Sequence, residues 1–307
     1  MFLKENEIKI KELEAKRLSL DHNDPEYDQV TLELEKLRKE TYSELTAWDR
    51  VCIARHPDRC KAQDYIQGLF HDFYEMHGDR CYGDDKAIIG GVAYFHDTPI
   101  TIIAQAKGKS LQENLDRRFG MSNPEGYRKA LRLAKQAEKF KRPIITFVDT
   151  AGAYPGLEAE ERGQAQAIAD CLYTFSDLKT PVICVVLSEG GSGGALALSV
   201  ADKICMLENA VYSVLSPEGF ASILWKDDSR AQEAAEVMKL TSYDLYEKGI
   251  VDYLVKEPLG GVQNDITLVL HDLDRYLTEE LENLSKMRER DLLDKRYDKF
   301  RKLGKMS

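Results

Sequence analysis

The chain has no C-x-x-C pair, no apolar run close to the length of a membrane span and no surplus of basic residues. Each absence removes a class of function. Its six cysteines (Cys52, Cys60, Cys81, Cys171, Cys184 and Cys205) are scattered, and its six histidines show no i, i+4 pairing, so no metal site is expected in this chain. Cys184 and Cys205 fall inside apolar runs, where a buried reduced thiol is expected. A membrane helix needs about 20 consecutive apolar residues, and the N-terminus, starting Met1-Phe2-Leu3-Lys4-Glu5, has no signal-peptide core. A soluble, cytoplasmic protein is expected, with no membrane partner. With 43 basic residues against 53 acidic ones, the net charge of −10 repels a phosphate backbone, so nucleic acid is not an expected partner.

What is present is a long chain, 307 residues and 43% hydrophobic, sufficient for one large core with accessory segments. Residues 1–55 read as two charged helices. One carries Ile8, Leu13 and Leu20 and is broken at Asp21-His22-Asn23-Asp24-Pro25; the other carries a sparse stripe of Val30, Leu34, Leu37 and Leu45. From Ile88 the pattern becomes β and then alternating β and α. Residues 88–95 and 100–104 flank a hairpin turn at His96-Asp97-Thr98-Pro99. Asn123-Pro124 opens a helix as cap and first residue, with Arg128, Lys129 and Arg132 expected to face outward. The unbroken runs 144–148 and 182–187 indicate strands buried on both faces of a parallel sheet. Further strands are expected at 203–207, 211–214 and 250–255. Ser216-Pro217 caps one helix, Ser229-x-x-Gln232 forms a capping box for the next, and Gly249 ends a helix. The domain boundaries read as 1–55, a helical segment for partner or subunit packing; 56–264, the α/β core; and 265–307, a C-terminal helical extension.

Both buried runs end in glycine-rich turns, at 149–156 and 189–195, followed by helices. Ligands of parallel α/β sheets sit at the carboxyl ends of strands. Glycine lets backbone N–H groups approach a ligand, and a helix starting near Gly193 adds partial positive charge. Such a pocket suits a developing oxyanion. The bland alternative is that the glycines only permit close packing of helix on sheet. No dinucleotide fingerprint is present, since Leu196 stands where its third glycine should fall, and there is no phosphate-binding loop. Gly190-Gly191-Ser192-Gly193-Gly194 matches the G-x-S-x-G nucleophile elbow, but a serine hydrolase needs a histidine. After residue 96 the chain offers only His271, in a tail helix where it is expected to face solvent.

Long stretches of the chain resemble the alpha subunits of bacterial acetyl-CoA carboxylase carboxyltransferase. They include Asp84-Asp85-Lys86-Ala87-Ile88, Phe119-Gly120-Met121, residues 124–133, 143–156 and 159–164, then 189–196, Ser216-Pro217-Glu218-Gly219, 221–226 and 257–261. The resemblance implies a crotonase-like (ClpP/crotonase) spiral of ββα units with helical extensions at both ends. It implies an enzyme active only with a beta subunit, usually as an alpha2beta2 heterotetramer, with zinc in that partner's four-cysteine ribbon. The complex would move a carboxyl group from carboxybiotin to acetyl-CoA, giving malonyl-CoA for fatty-acid synthesis. Biotin is carried on a separate biotin carboxyl carrier protein, and the ATP-dependent step belongs to biotin carboxylase. Two anions arise in that chemistry, the ureido oxygen of biotin and the thioester enolate, and both need N–H donors. By resemblance, the backbone of Gly193, Gly194 and Ala195 forms the oxyanion hole. Gly152, Ala153, Tyr154, Gly190, Gly191, Ser192 and Lys107 line the biotin and substrate loops. Asp149 and Glu189 are expected to orient the loops through N–H bonds, and Glu160-Glu161-Arg162 to form helix-surface or subunit contacts. Ala151 replaces the family's usual proline, and the segment 105–112 differs more from its pattern: Lys107-Gly108-Lys109 resembles the family's Lys-Gly-Arg, while Ser110, Leu111 and Gln112 do not match. Three other readings stay open: a stand-alone enoyl-CoA hydratase or isomerase using Glu160 or Glu189, a Ser192 hydrolase, and a non-catalytic scaffold.

Overall fold

The structure is a computed structural model describing residues 2–304, with side chains from Glu5 onward; Met1 and residues 305–307, parts of the two terminal segments expected to be helical, lie outside the described residues. Helices α1 (Phe2–Ser19) and α2 (Pro25–Tyr42) fold back on each other. The break between them is chemical, because Asp24 caps α2 by accepting from the Glu26 amide and Pro25 takes the first helical position. Val30 and Leu34 are buried from the expected stripe, while Leu45 lies beyond the end of α2. A third N-terminal helix, α3 (Ala47–Ala54), follows where only two were expected. Its start is a Thr46–Asp49 capping box, and its eight residues are too few for a clear apolar period. Helix α4 (Ala62–Leu69) leads into the sheet.

Eight strands form one mixed sheet. Strands β1 (His71–Glu75), β2 (Ile88–Phe95) and β3 (Thr98–Gln105) pair antiparallel, with β2 and β3 joined by the tight turn at His96-Asp97. A short helix, α5 (Leu111–Asp116), and the long α6 (Pro124–Lys139) precede β4 (Ile144–Thr150), which is buried at every residue. Helices α7 (Leu157–Glu161) and α8 (Gln164–Asp177) lead to β5 (Val182–Gly191) and then to α9 (Ser192–Leu196). Strands β6 (Lys203–Leu207) and β7 (Val211–Ser213) come next. The run ends in α10 (Pro217–Trp225), α11 (Ala231–Met238), α12 (Ser242–Glu247), β8 (Tyr253–Val255), α13 (Ile266–Ser285) and α14 (Glu289–Lys302). Strand order is β1-β2-β3-β4-β5-β6-β8, and β7 pairs with the end of β5. From β3 onward all pairs are parallel. The two expected core runs are therefore the paired central strands, buried throughout over 144–148 and 182–187.

Several local expectations are corrected. Lys129 does not face outward: it is buried, and its Nζ donates to Asp84 Oδ1 at 2.6 Å and to the Asp85 carbonyl at 2.9 Å. Its stem covers apolar surface while two oxygens satisfy its head, which a hydrophobic period cannot reveal. Asn123 occupies the N-cap of α6 without a side-chain cap bond; its amide instead donates to buried Asp85. The Ser229–Gln232 box does not form, because the nearer Asp227 accepts from both the amide and the hydroxyl of Ser229. The strand expected over 250–255 begins only at Tyr253, since the Ile250 and Val251 amides both bond the Leu245 carbonyl around left-handed Gly249.

The C-terminal helix is fastened by one arginine. Arg296 is buried and donates to Asp202 at 2.8 and 2.7 Å and to the carbonyls of Phe175, Leu178 and Thr180. Every donor of the fork is used, so removing it takes the charge partner from the buried Asp202 carboxylate, leaving it the Val182 amide, and takes a donor from each of three carbonyls. Arg296→Met is expected to lower the unfolding free energy by about 3–5 kcal/mol in urea denaturation. A loss of less than about 1 kcal/mol, as for a surface pair, would show that the anchor carries no weight.

Candidate active site at the two glycine loops

The two glycine segments meet. Strand β5 continues through Gly190 and Gly191, pairing with Tyr212 and Ser213 of β7, before α9 begins. Its other neighbour, β4, ends beside it with Thr150 opposite Gly190. A side chain at Gly191 would stand 2.0 Å from the Ala151 carbonyl oxygen, and one at Gly194 would stand 2.4 Å from the Ala153 nitrogen. Both positions must be glycine for the loops to touch. Gly190 is confined by the Tyr212 ring. Gly193 differs, because a side chain there would have only an Ile168 methyl carbon nearby, at 3.7 Å. Packing therefore explains glycine at 190, 191 and 194 and does not explain it at 193.

Helix α9 is capped by Gly191 without a side-chain bond, and the exposed Ser192 has a left-handed φ of 55°. Amides at the start of a helix precede its first internal bond, so those of Ser192, Gly193 and Gly194 have no acceptor within the helix, whereas the Ala195 position is where internal bonding begins. In the first loop, the Thr150 hydroxyl bridges the Gly152 amide and carbonyl. The Tyr154 amide donates to the Ser122 carbonyl, and Gln164 Nε2 ties Ser122 and Tyr154 together. The Ala153 amide donates no hydrogen bond among the described residues and abuts Gly194. The ring of Tyr154 lies under the Arg118 guanidinium, 5.5 Å away.

Beside the loops lies a charged cluster that sequence reading assigned otherwise. Lys107 Nζ, at the end of β3, is 2.6 Å from Glu189 and 3.0 Å from the fully buried Asp149. Arg55, just past α3, binds Glu189 at 2.7 Å and Glu218 at 2.6 Å. Asp149 and Glu189 thus do not orient the loops through N–H bonds; they meet cations, because a carboxylate carried this far inside needs a charge partner. Burial alone would push the Glu189 carboxyl up, but Lys107 and then Arg55 hold it down at about 2. For Lys107, burial favours the neutral amine, and Asp149 and Glu189 outweigh it and raise its pKa. Arg55 was missed entirely. Its only sequence signal was a lone cation after a short apolar helix, and the tertiary fold alone brings it here. Glu160 and Glu161 are exposed on α7, and Arg162 bonds Glu125 of α6.

These placements bear on the alternatives. A Glu189 held in its ionised form near neutral pH by two cations is a poor proton shuttle, which counts against a hydratase built on it. None of the hydrogen bonds of His56, His71, His77 or His96 reaches Ser192, and His271 is exposed on α13. Arg55, Ala151, Glu189, Gly190 and Gly191 border a cavity of only about 40 Å³. Its other walls are β7 and the start of α10, so it lies beside the Gly193 and Gly194 amides and not in front of them. Among the described residues, no helix is long and apolar enough to cross a membrane.

The chain matches the family described as acetyl co-enzyme A carboxylase carboxyltransferase-like over residues 2–304. It is 60% identical, over 266 residues, to the acetyl-coenzyme A carboxylase carboxyl transferase subunit alpha of Clostridium acetobutylicum, covering 87% of this chain and 97% of that one. It is 52% identical, over 304 residues, to the subunit of the same name from Bacillus subtilis, covering 98% and 94%. Among solved structures, the transcarboxylase 12S hexamer core superposes with a TM-score of 0.62 at 20% identity, over 78% of this chain and 45% of that one. A Pseudomonas malonate decarboxylase hetero-tetramer in complex with coenzyme A superposes with a TM-score of 0.60 at 17% identity, over 76% and 90%. The fold is that of the crotonase-like carboxyltransferases.

The depressed Glu189 pKa makes a test of the cluster. Folding stability from this group is present above its ordinary value of 4.5 and lost as the pH falls toward about 2. Glu189→Gln should therefore flatten the acid limb of the stability curve in that window, measured by denaturant titration at each pH. An unchanged acid limb would mean that Lys107 and Arg55 do not hold Glu189 ionised.

Proposed function

The chain belongs to the acetyl-CoA carboxylase carboxyltransferase alpha-subunit family, and from that premise we propose that its glycine loops supply the backbone donors of a biotin-dependent carboxyl transfer to acetyl-CoA. The carrier-borne carboxybiotin supplies carbon dioxide equivalents and leaves a ureido group whose oxygen carries negative charge. The residues present suit such a group. The Gly193 and Gly194 amides start a helix, the Ala153 amide abuts them, and the neighbouring carboxylates Asp149 and Glu189 are matched by Lys107 and Arg55. Fixed N–H groups aimed at a developing oxyanion need no reorganisation during reaction. Gly152, Ala153 and Tyr154 on one loop, and Gly190, Gly191 and Ser192 on the other, shape the walls. Lys107 acts in this reading by neutralising the carboxylates, and Ser192 is a bystander. Ala195 supports the first turn from behind Gly193 and Gly194.

The subunit naming of the relatives supports the further proposal that a beta subunit completes the site and holds most of the acetyl-CoA, in an alpha2beta2 assembly with zinc confined to the beta chain. The biotin carboxyl carrier protein and biotin carboxylase are the other proposed partners, with malonyl-CoA as product and the cytoplasm as location.

The observation that carries the reading is Gly193, a glycine that packing does not demand. A bulky residue at Gly194 would collide with the first loop, so Gly193→Val is the informative variant. Mixed with a zinc-ribbon beta partner, the wild-type chain should carboxylate biotin at the expense of malonyl-CoA, and the chain alone should be inactive. Gly193→Val should assemble normally and lose on the order of 100-fold or more in kcat. Val keeps the amide and adds bulk beside it, so wild-type activity in that variant would show that no ligand approaches the backbone at 193. Full activity of the isolated chain, or its turnover of crotonyl-CoA, would favour the hydratase alternative.

A further inference from the structure

Resting on that reading of the loops, we propose that Gln105 is a positioning residue for the oxyanion site. It fixes the first turn of α9 by holding the Gly194 carbonyl. Gln105 is the last residue of β3 and is completely buried. Its Nε2 donates to the Gly194 carbonyl oxygen at 2.6 Å. A fully buried amide side chain is costly to desolvate, so a bond this short between two buried groups is a specific one.

The helix makes the bond necessary. The Ala197 amide donates to Gly193 in the ordinary i+4 pattern, but the Leu198 amide donates to Ala195 and the Ser199 amide to Leu196. The ladder tightens by one residue at that point, and Leu198, the regular partner of the Gly194 carbonyl, is taken away from it. Gln105 replaces that partner. The other side of Gly194 is fixed by contact alone, because a side chain there would meet the Ala153 nitrogen at 2.4 Å, the Gly152 carbonyl carbon at 2.6 Å and the Tyr127 hydroxyl at 2.9 Å. Consecutive glycines have soft torsions. Packing limits where the Gly194 Cα sits, and the Gln105 bond holds the carbonyl end of the peptide beyond it, whose other end is the Ala195 amide. The Gly193 and Gly194 amides lie in the two peptides just before it, so a fixed Gly194 carbonyl keeps the first turn, and with it those amides, in one arrangement.

The experiment uses the assembled complex with the beta partner, comparing wild type, Gln105→Met, Gln105→Glu and Gly193→Val in the malonyl-CoA-dependent reaction. Gln105→Met fills the same space without a donor. It should lower kcat by up to about 100-fold, the effect of a small misplacement of catalytic groups, and leave the KM for malonyl-CoA unchanged. Gln105→Glu distinguishes positioning from bulk. Its protonated carboxyl can donate to the Gly194 carbonyl and its ionised form cannot, so its activity relative to wild type should rise as the pH falls. Wild-type kcat in both variants would overturn the proposal, as would equal, pH-independent losses accompanied by failed assembly. If Gln105→Met does not assemble, the pH response of Gln105→Glu decides alone. Should Gly193→Val be inactive while both Gln105 variants are fully active, only the role of Gln105 falls. Full activity in all three variants would bring down the site reading with it.

Discussion

The closest approach in the site, Gly191 against the Ala151 carbonyl and Gly194 against the Gly152-Ala153 peptide, is the constraint from which the rest follows. Two parallel strands deliver two backbone segments to one place, and the absence of side chains lets them touch. The touching segments present amide edges instead of functional groups. An oxyanion is the species that such an edge stabilises best, because donors already fixed by packing cost nothing to orient during reaction.

Charge around the loops is balanced by the fold. Glu189 and Asp149 would repel an anion if they stood alone, yet Lys107 and Arg55 bind them from two directions. Arg55 comes from the N-terminal segment, and nearby Arg59 donates to the Leu187 carbonyl of β5 and to buried Glu257. The N-terminal helices are thereby tied to the strand that ends in the second glycine loop. A segment that reads as a charged accessory thus contributes to the electrostatics of the site.

The central strands, the two loops and the family were legible because they rest on local signals: unbroken β-branched runs, glycine clusters and long verbatim stretches. The order of the sheet and the cluster around Lys107 were not. Lys129 and Arg55 look like solvent residues by periodicity, and only the carboxylates brought to them by the fold explain where they lie. Gln105 falls just past the strand expected over 100–104, and its partner is a carbonyl released 89 residues away, which no spacing announces. The distinction between Gly193 and its neighbours was likewise invisible, because it depends on what each missing side chain would meet.

The central claim is that the backbone of this chain acts and its side chains do not. Its most direct test is the combined variant Ser192→Gly with Glu160→Gln, assayed for kcat in the assembled complex. Both side chains are exposed, and glycine suits the left-handed φ of 55° at position 192. The account predicts a kcat within a few-fold of wild type, whereas a loss on the order of 100-fold, the smallest expected from removing a nucleophile or general base, would contradict it.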